Sequence, residues 1–511
     1  MSGATREATR ALAERFRGRG LSHDSYRTLG RTGLTVSVLG FGTYRVDDHS
    51  PEHREALRKA LAEGCNLIDT STNYTDGSSE ACIGEELEGM AGHGEIRREE
   101  TVIVSKIGYV QGRNLDLARE REEAGDPFPE MVKISDGCWH CVHPRFLEDQ
   151  LGRSLSRLRL DRLDVCLLHN PEYFLEEVQR SGTAGGLEGA RRGFYGRLRA
   201  SFLHLEEEVK RGRISWYGVS SNTFGKPPGE PGATSLGRIL EAAREAAAEA
   251  GLAAGDHHFA VAQLPMNLFE DAPLTVKKEG PAGDRSTLAF AAESGVGVLV
   301  NRPLNAFLRG ELVRLADFPA SSPEVPLAEA LERVVRLEEE FLKTMAGRLE
   351  PGPGQPRAEN LFPWGRWLAG IEERLGGYEH WQEILKQQIQ PHLSEMVSFV
   401  RSALPEDLAG TFRDWLDRYL PELGNLLIAF EAACAARSRQ RSEKIAALID
   451  SGLPPSLRAE SLSRKALHAV ASVEGVTCVL NGMRRPGYVE DSMEILKWDR
   501  IPAAADLFGR I

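Results

Sequence analysis

Short runs rich in Val, Ile and Leu alternate along the chain with longer stretches whose apolar residues recur every three or four positions. The first pattern predicts strands and the second helices. "YRTLGRTGLTVSVLGFGTY" predicts a hairpin turning at Gly30 to Gly33 and running into a first strand near Val36 to Gly42. A helix follows from Pro51 to Glu63, with Pro in its first turn. Then come "NLID", a helix from Ser79 to about Met90, "TVIVSK", a helix from Pro144 to Leu158, and "LDVCLLH". A helix from Ser201 to Arg211 precedes "ISWYGVSS", and one from Leu236 to Ala250 precedes "FAVAQLPMN". A helix from Thr287 to Ser294 precedes "GVGVLVNRPL", and far downstream one from Leu457 to Ser472 precedes "VTCVLNG". Eight strands, each separated from the next by a helix, point to a (β/α)8 barrel of the α/β class with an N-terminal β-hairpin. A doubly wound sheet is the alternative, weakened because neither GxGxxG nor GxxxxGK[ST] follows any strand.

One segment departs from the repeat. Between the seventh strand and the last helix, Leu331, Val334, Val335, Phe341, Leu342 and Met345 keep helical spacing. So do Trp381, Ile384, Leu385, Ile389, Met396 and Val400, after a break at "EPGPGQP". "LPEDL" and "LPEL" read as further helix starts with Pro near the first turn. This predicts an all-helical insertion of about four helices after strand seven, its apolar stripe forming its own core. The expected organisation is an N-terminal extension (1–25), the barrel through its seventh strand (26–309), the insertion (310–455), and the barrel's completion (456–511). A smaller extension, Glu172 to Arg199, holds a flexible "SGTAGGLEG".

Composition changes this picture only by exclusion. The 511 residues carry a net charge of −12, which argues against a nucleic-acid or anionic-membrane partner, and no apolar run is long enough to span a membrane. The start, "MSGATREATRALAERFRGRG", lacks the apolar core of a signal peptide and reads as a frayed helix, with a transit peptide as the alternative. Seven scattered cysteines suit a reducing compartment, and a cytoplasmic location is expected. Cys138, Cys141 and His143 in "CWHCVHP" have no second CxxC to complete a zinc site, so no metal is expected. Trp139 between them lines the pocket or simply packs.

Chemistry concentrates at strand ends. Asp69 closes the second strand, Lys106 the third and His169 the fourth, while Tyr74 follows the second. In a (β/α)8 barrel these ends share one mouth. Taken singly, each residue has a structural explanation as a turn, packing or core residue. Jointly they form an acid catalyst. Lys106 beside the phenol is expected to lower the Tyr74 pKa, Asp69 to hold the Lys, and His169 to orient a carbonyl oxygen.

"GRTGLTVSVLGFGTYRV", "NLIDTSTNYTDGSSEACIGEEL", "TVIVSKIG", "LDRLDVCLLHNP", "GRISWYGVSSNTF", "VAQLPMNLF" and "VTCVLNGMRRPGYVEDS" together resemble the aldo-keto reductase family, in that family's order. The resemblance implies a nicotinamide-dependent oxidoreductase acting on an aldehyde, ketone, sugar or alcohol. Its catalytic tetrad falls on Asp69, Tyr74, Lys106 and His169. It implies cofactor contacts at Gly42, Thr43, Asp69, Ser220, Gln263, Pro303, Leu304, Gly482 and Met483. Ser221 stands where the family's carboxamide-holding Asn usually sits, with Asn222 one step on. Asn301 replaces a stacking Tyr, Asp491 a Glu and Ser492 an Asn. Arg484 and Arg485 match the loop that binds the 2′-phosphate, which favours NADP(H) over NAD(H). A small-molecule carbonyl or alcohol is the expected partner. The insertion leaves open a second reading, a nicotinamide-binding regulatory or scaffold protein that docks a partner.

Overall fold

The computed structural model of the chain describes residues 3–182, 186–308, 311–318, 320–349, 357, 360–371 and 375–510. Eight parallel strands close into a barrel: β1 (Leu39–Gly42), β2 (Leu67–Asp69), β3 (Val102–Ile107), β4 (Leu163–His169), β5 (Ile214–Ser220), β6 (Phe259–Pro265), β7 (Gly297–Asn301) and β8 (Cys478–Asn481). Each strand pairs with its neighbours in sequence, and β8 pairs with β1. The doubly wound alternative is thereby excluded, because the sheet has no edge. Helices Pro51–Ala62, Ser78–Gly92, Pro144–Leu158, Gly186–Lys210, Leu236–Glu249, Thr287–Glu293 and Leu462–Ser472 alternate with the strands. The helix read as starting at Ser201 is the end of one 25-residue helix. Of the stretch "SGTAGGLEG", residues 183–185 lie outside the described residues.

The barrel interior follows from the two-residue period of a strand. Leu67, Val102, Val104, Val165, Leu167, Val261, Leu299, Cys478 and Leu480 form one buried cluster. Leu29, Leu34 and Val36 of the N-terminal hairpin belong to it too. In that hairpin Tyr26–Thr28 pairs antiparallel with Thr35–Ser37, and Gly33 takes φ 72 at the turn. Gly218 on β5 admits no side chain, because a Cβ there would run into the Val261 carbonyl.

Two expectations are corrected, and one feature was not anticipated. The N-terminal segment is packed rather than frayed. Thr5 caps helix Arg6–Arg17, whose Leu12, Ala13 and Phe16 bury themselves against Tyr26. After β3 the chain builds a three-stranded antiparallel sheet from Tyr109–Val110, Val132–Ser135 and Cys138–His140, with helix Gly112–Glu123. These strands are too short and too mixed in polarity to stand out in sequence. In "LPEL", Pro421 lies inside the 42-residue helix Ala409–Asp450 instead of starting one. The helix persists because Trp415, Leu416, Tyr419, Leu423 and Leu426 stay buried on both sides of the proline.

By contacts the chain forms two compact units, one of Met1–Ala306 with Gly452–Ile511 and one of Phe307–Ser451. The second contains helices Leu327–Thr344, Trp364–Ile371, Tyr378–Ile384, Gln390–Ala403 and Ala409–Asp450, with a π-helical turn at Leu385–Ile389. Its own core includes Phe341, Phe362, Trp381, Trp415, Tyr419 and Phe430. Buried Glu338 accepts the Gly365 N–H at 2.6 Å and the Tyr419 hydroxyl at 3.3 Å. The break at "EPGPGQP" lies outside the described residues. No helix among the described residues is long and apolar enough to cross a membrane.

Candidate active site

On successive strands the inward-facing set runs apolar, then polar. Leu67 is followed two residues later by Asp69, Val104 by Lys106, Leu167 by His169, Gly218 by Ser220, Val261 by Gln263, and Leu299 by Asn301. Strand register keeps this step level, pairing Gly42 with Asp69, His169 with Ser220, and Ser220 with Gln263. A polar layer thus caps the apolar interior at the C-terminal mouth, where barrel enzymes carry their chemistry.

Within that layer Lys106 is fully buried. Its Nζ donates to Asp69 Oδ2 and to the Thr70 carbonyl, each at 2.7 Å. The same ammonium lies 4.8 Å from the Tyr74 ring centroid. Burial pulls the Lys106 pKa below its ordinary value, and Asp69 opposes that pull. Tyr74 sits edge-to-face with His169 at 6.0 Å and with Tyr44 at 5.2 Å. The loop bearing it is strained, with Thr75 at φ 46 and Asp76 at φ 55, and is pinned where Thr75 Oγ1 donates to the Val46 carbonyl at 2.6 Å.

The expected lowering of the Tyr74 pKa is overturned. Burial raises it well above the usual phenol value, and Asp69 raises it further. The Lys106 ammonium is bonded to Asp69 and Thr70 and lies beside the Tyr74 ring, and its charge does not offset that rise. His169 is held well below its ordinary pKa by burial first and by Lys106 second, so its ring is neutral. Ser71 Oγ lies 3.1 Å from its Nδ1.

The residues expected to hold a cofactor divide into two sets. Gln263 Nε2 donates to Asp69 Oδ1 at 2.7 Å. Gln263 Oε1 accepts from Ser220 at 3.0 Å and from Asn301 at 3.4 Å. One network therefore joins Ser220, Gln263 and Asn301 to the carboxylate that holds Lys106. Thr43 donates its N–H and hydroxyl to the Asp69 carbonyl, and Gly42 pairs beside them. The Ser221 hydroxyl is engaged with Thr223 and Thr234, and Asn222 is exposed. Pro303 is buried and Leu304 half-buried in the turn after β7.

The second set follows β8. Gly482 is exposed, Met483 buried and Arg484 half-buried. Arg485 reaches Glu52 at 3.5 Å from an exposed position before helix Pro486–Met493. Asp491 is taken up by Arg464 at 2.8 Å and Ser463 at 2.9 Å, and Ser492 accepts from Asn481 at 2.8 Å. Both side chains thus brace the fold.

Several residues at the mouth escaped the sequence reading. Tyr109 meets the His169 ring at 4.6 Å, and its hydroxyl accepts from Asn170 at 3.1 Å and donates to Tyr173 at 3.0 Å. His140 donates Nε2–H to the His169 carbonyl at 2.7 Å. All lie within a few residues of a strand end or in the added sheet, so proximity in sequence was the available signal. Trp139 packs under Lys133 at 4.1 Å. Cys141 Sγ approaches the Pro129 carbonyl at 3.5 Å, and His143 caps helix Pro144–Leu158. Among the described residues no cluster of His, Cys, Asp or Glu forms a metal-binding group.

Comparison with known proteins adds distant likenesses. Over 150 residues the chain is 26% identical to the NADH-specific methylglyoxal reductase of Escherichia coli (strain K12), covering 28% of this chain and 40% of that protein. Over 161 residues it is 26% identical to a probable voltage-gated potassium channel subunit beta of Arabidopsis thaliana, covering 30% and 41%. The chain thus spans about two fifths of these curated relatives. A solved aldo-keto reductase from Bacillus halodurans, in its holo form, superposes with a TM-score of 0.45 at 14% identity, over 96% of this chain and 98% of that one. The model of the Aldo/keto reductase family matches residues 38–336, more than half of the 511, and the chain belongs to that family.

Proposed function

We propose that the chain is a nicotinamide-dependent oxidoreductase that interconverts a small carbonyl compound and its alcohol, with NADPH preferred. The observation that carries this reading is the convergence of Asp69, Lys106, Tyr74 and His169 in one polar layer, with Lys106 bonded to Asp69 at 2.7 Å and facing the Tyr74 ring at 4.8 Å.

Tyr74 is the acid. Its raised pKa keeps it protonated through neutral pH, ready to give its proton to the substrate oxygen as negative charge develops there. Neutral His169 shares that oxygen. Donation to that oxygen needs the tautomer with its proton on Nε2, which leaves Nδ1, 3.1 Å from Ser71 Oγ, unprotonated. The phenolate left behind is stabilised by the Lys106 ammonium, which Asp69 keeps charged. When bound, the nicotinamide supplies the hydride that adds to the carbonyl carbon.

The donor set fits such a cofactor. Ser220, Gln263 and Asn301 offer hydroxyl and amide groups suited to a carboxamide, and Asn301 Oδ1 is buried with no partner. Arg484 and Arg485 offer guanidinium groups suited to a phosphate. NADH specificity belongs to the E. coli relative by its name. The argument for NADPH here rests on the two arginines.

A second reading, a nicotinamide-binding regulatory subunit, is favoured by the similarity to the probable channel subunit. Its further motive is the pair of departures at Ser221 and Asn301. A screen of aldehydes and ketones for NADPH consumption separates the two. Turnover supports the enzyme, whereas cofactor binding with no turnover on any substrate supports the regulatory subunit.

A further inference from the structure

Glu172 follows His169 by three residues and is 2% exposed. Its Oε1 accepts the Asn222 backbone N–H at 2.7 Å, tying the loop after β4 to the loop after β5. Its Oε2 is buried and has no hydrogen-bond partner. A buried acceptor of this kind is unfavourable until a donor reaches it. The neighbouring loop holds Ser220 and Ser221, and the Ser221 hydroxyl is engaged with Thr223 and Thr234. Of the acceptors in the polar layer, Asn301 Oδ1 is likewise buried without a partner, while the others are engaged. Gln263 Oε1 receives two hydrogens, and both Asp69 oxygens are bonded.

We propose that Glu172 is a cofactor-binding residue whose free carboxylate oxygen accepts a hydrogen bond from the carboxamide nitrogen of the nicotinamide, the role that Ser221 does not fill. The inference rests on the nicotinamide-dependent reading above. A carboxylate is the stronger acceptor because the bond is charge-assisted. The titratable groups facing it are Glu176 on its own helix, Tyr173 beside it, and Tyr109 from the added sheet. Burial raises the Glu172 pKa to about 7 against hydrogen bonds from its own backbone N–H, the Asn222 N–H and the Ser221 side chain, and Glu176 adds to the rise. A donor on the bound cofactor favours the ionised form, so binding expels a proton and tightens as pH rises through neutrality.

The test is calorimetric titration of the full chain with NADPH and with NADH, which lacks the 2′-phosphate and its titration. It runs from about pH 6 to about pH 8 in buffers of different ionisation enthalpy. For a pKa displaced by about one unit on binding, the affinity of the natural chain rises roughly fivefold over that range, with a fraction of a proton released near neutrality. Glu172→Gln keeps an acceptor for Asn222, yet binds more weakly, releases no proton from this site and loses the pH dependence. Asn301→Ala keeps it, because an amide does not titrate. Absence of proton release from the natural chain overturns the inference, as does a Glu172→Gln variant matching it in affinity and pH dependence. Either result leaves the proposed function standing. Failure of the natural chain to bind either nucleotide overturns both.

Discussion

At the scale of single residues, the site turns on how a buried lysine is shared. Lys106 is fully enclosed and bonded to Asp69 and Thr70. Removing one member of a buried ion pair strands the other, so Lys106→Met should abolish turnover and cost about 3 kcal/mol of stability in urea unfolding. A variant of native stability would contradict this pairing. On the proposed reading Tyr74 sets the pH dependence. Reduction needs the protonated phenol, and a raised pKa preserves it. At saturating cofactor, kcat for reduction should stay level through neutral pH and fall only in alkali, whereas kcat for alcohol oxidation should climb with pH. A reduction limb already falling at neutrality would contradict that assignment. At the far end, Arg484→Ala should weaken NADPH binding about tenfold and leave NADH nearly unchanged, as read by fluorescence titration. The convergence of Asp69, Tyr74, Lys106 and His169 was legible in sequence because each stands at or shortly after a strand end. The direction of the Tyr74 shift was not, since it depends on burial, which the Lys106 charge does not offset.

At the scale of elements, the barrel strands were legible because β3, β4 and β6 are buried at every position and read as largely apolar runs. The added sheet after β3 was not, as it is made of strands of two to four residues. Pro421 misled because proline ordinarily marks a helix start, and only tertiary burial along helix Ala409–Asp450 overrides it. The N-terminal helix read as frayed, yet its Leu12, Ala13 and Phe16 cluster with Tyr26, whose hydroxyl donates to the Gly64 carbonyl at 2.7 Å. Phe16→Ala should therefore destabilise the chain by about 3 kcal/mol in denaturant titration while leaving kcat unchanged. A neutral substitution would show that the helix does not brace the barrel.

At the scale of the whole molecule, the barrel and the segment Phe307–Ser451 each have their own core. The segment's aromatic stripe in sequence already indicated a self-contained core, while its role is not written in residue types of the kind that mark the barrel mouth. The central proposal is that Asp69, Tyr74, Lys106 and His169 together carry out a hydride-coupled proton transfer. The most direct measurement is rapid mixing of the NADPH-loaded chain with a carbonyl substrate that it turns over, comparing the natural sequence with Tyr74→Phe and measuring NADPH affinity for both. The account predicts unchanged NADPH affinity and a hydride-transfer rate at least about a hundredfold slower in Tyr74→Phe. Equal rates in the two proteins would contradict it.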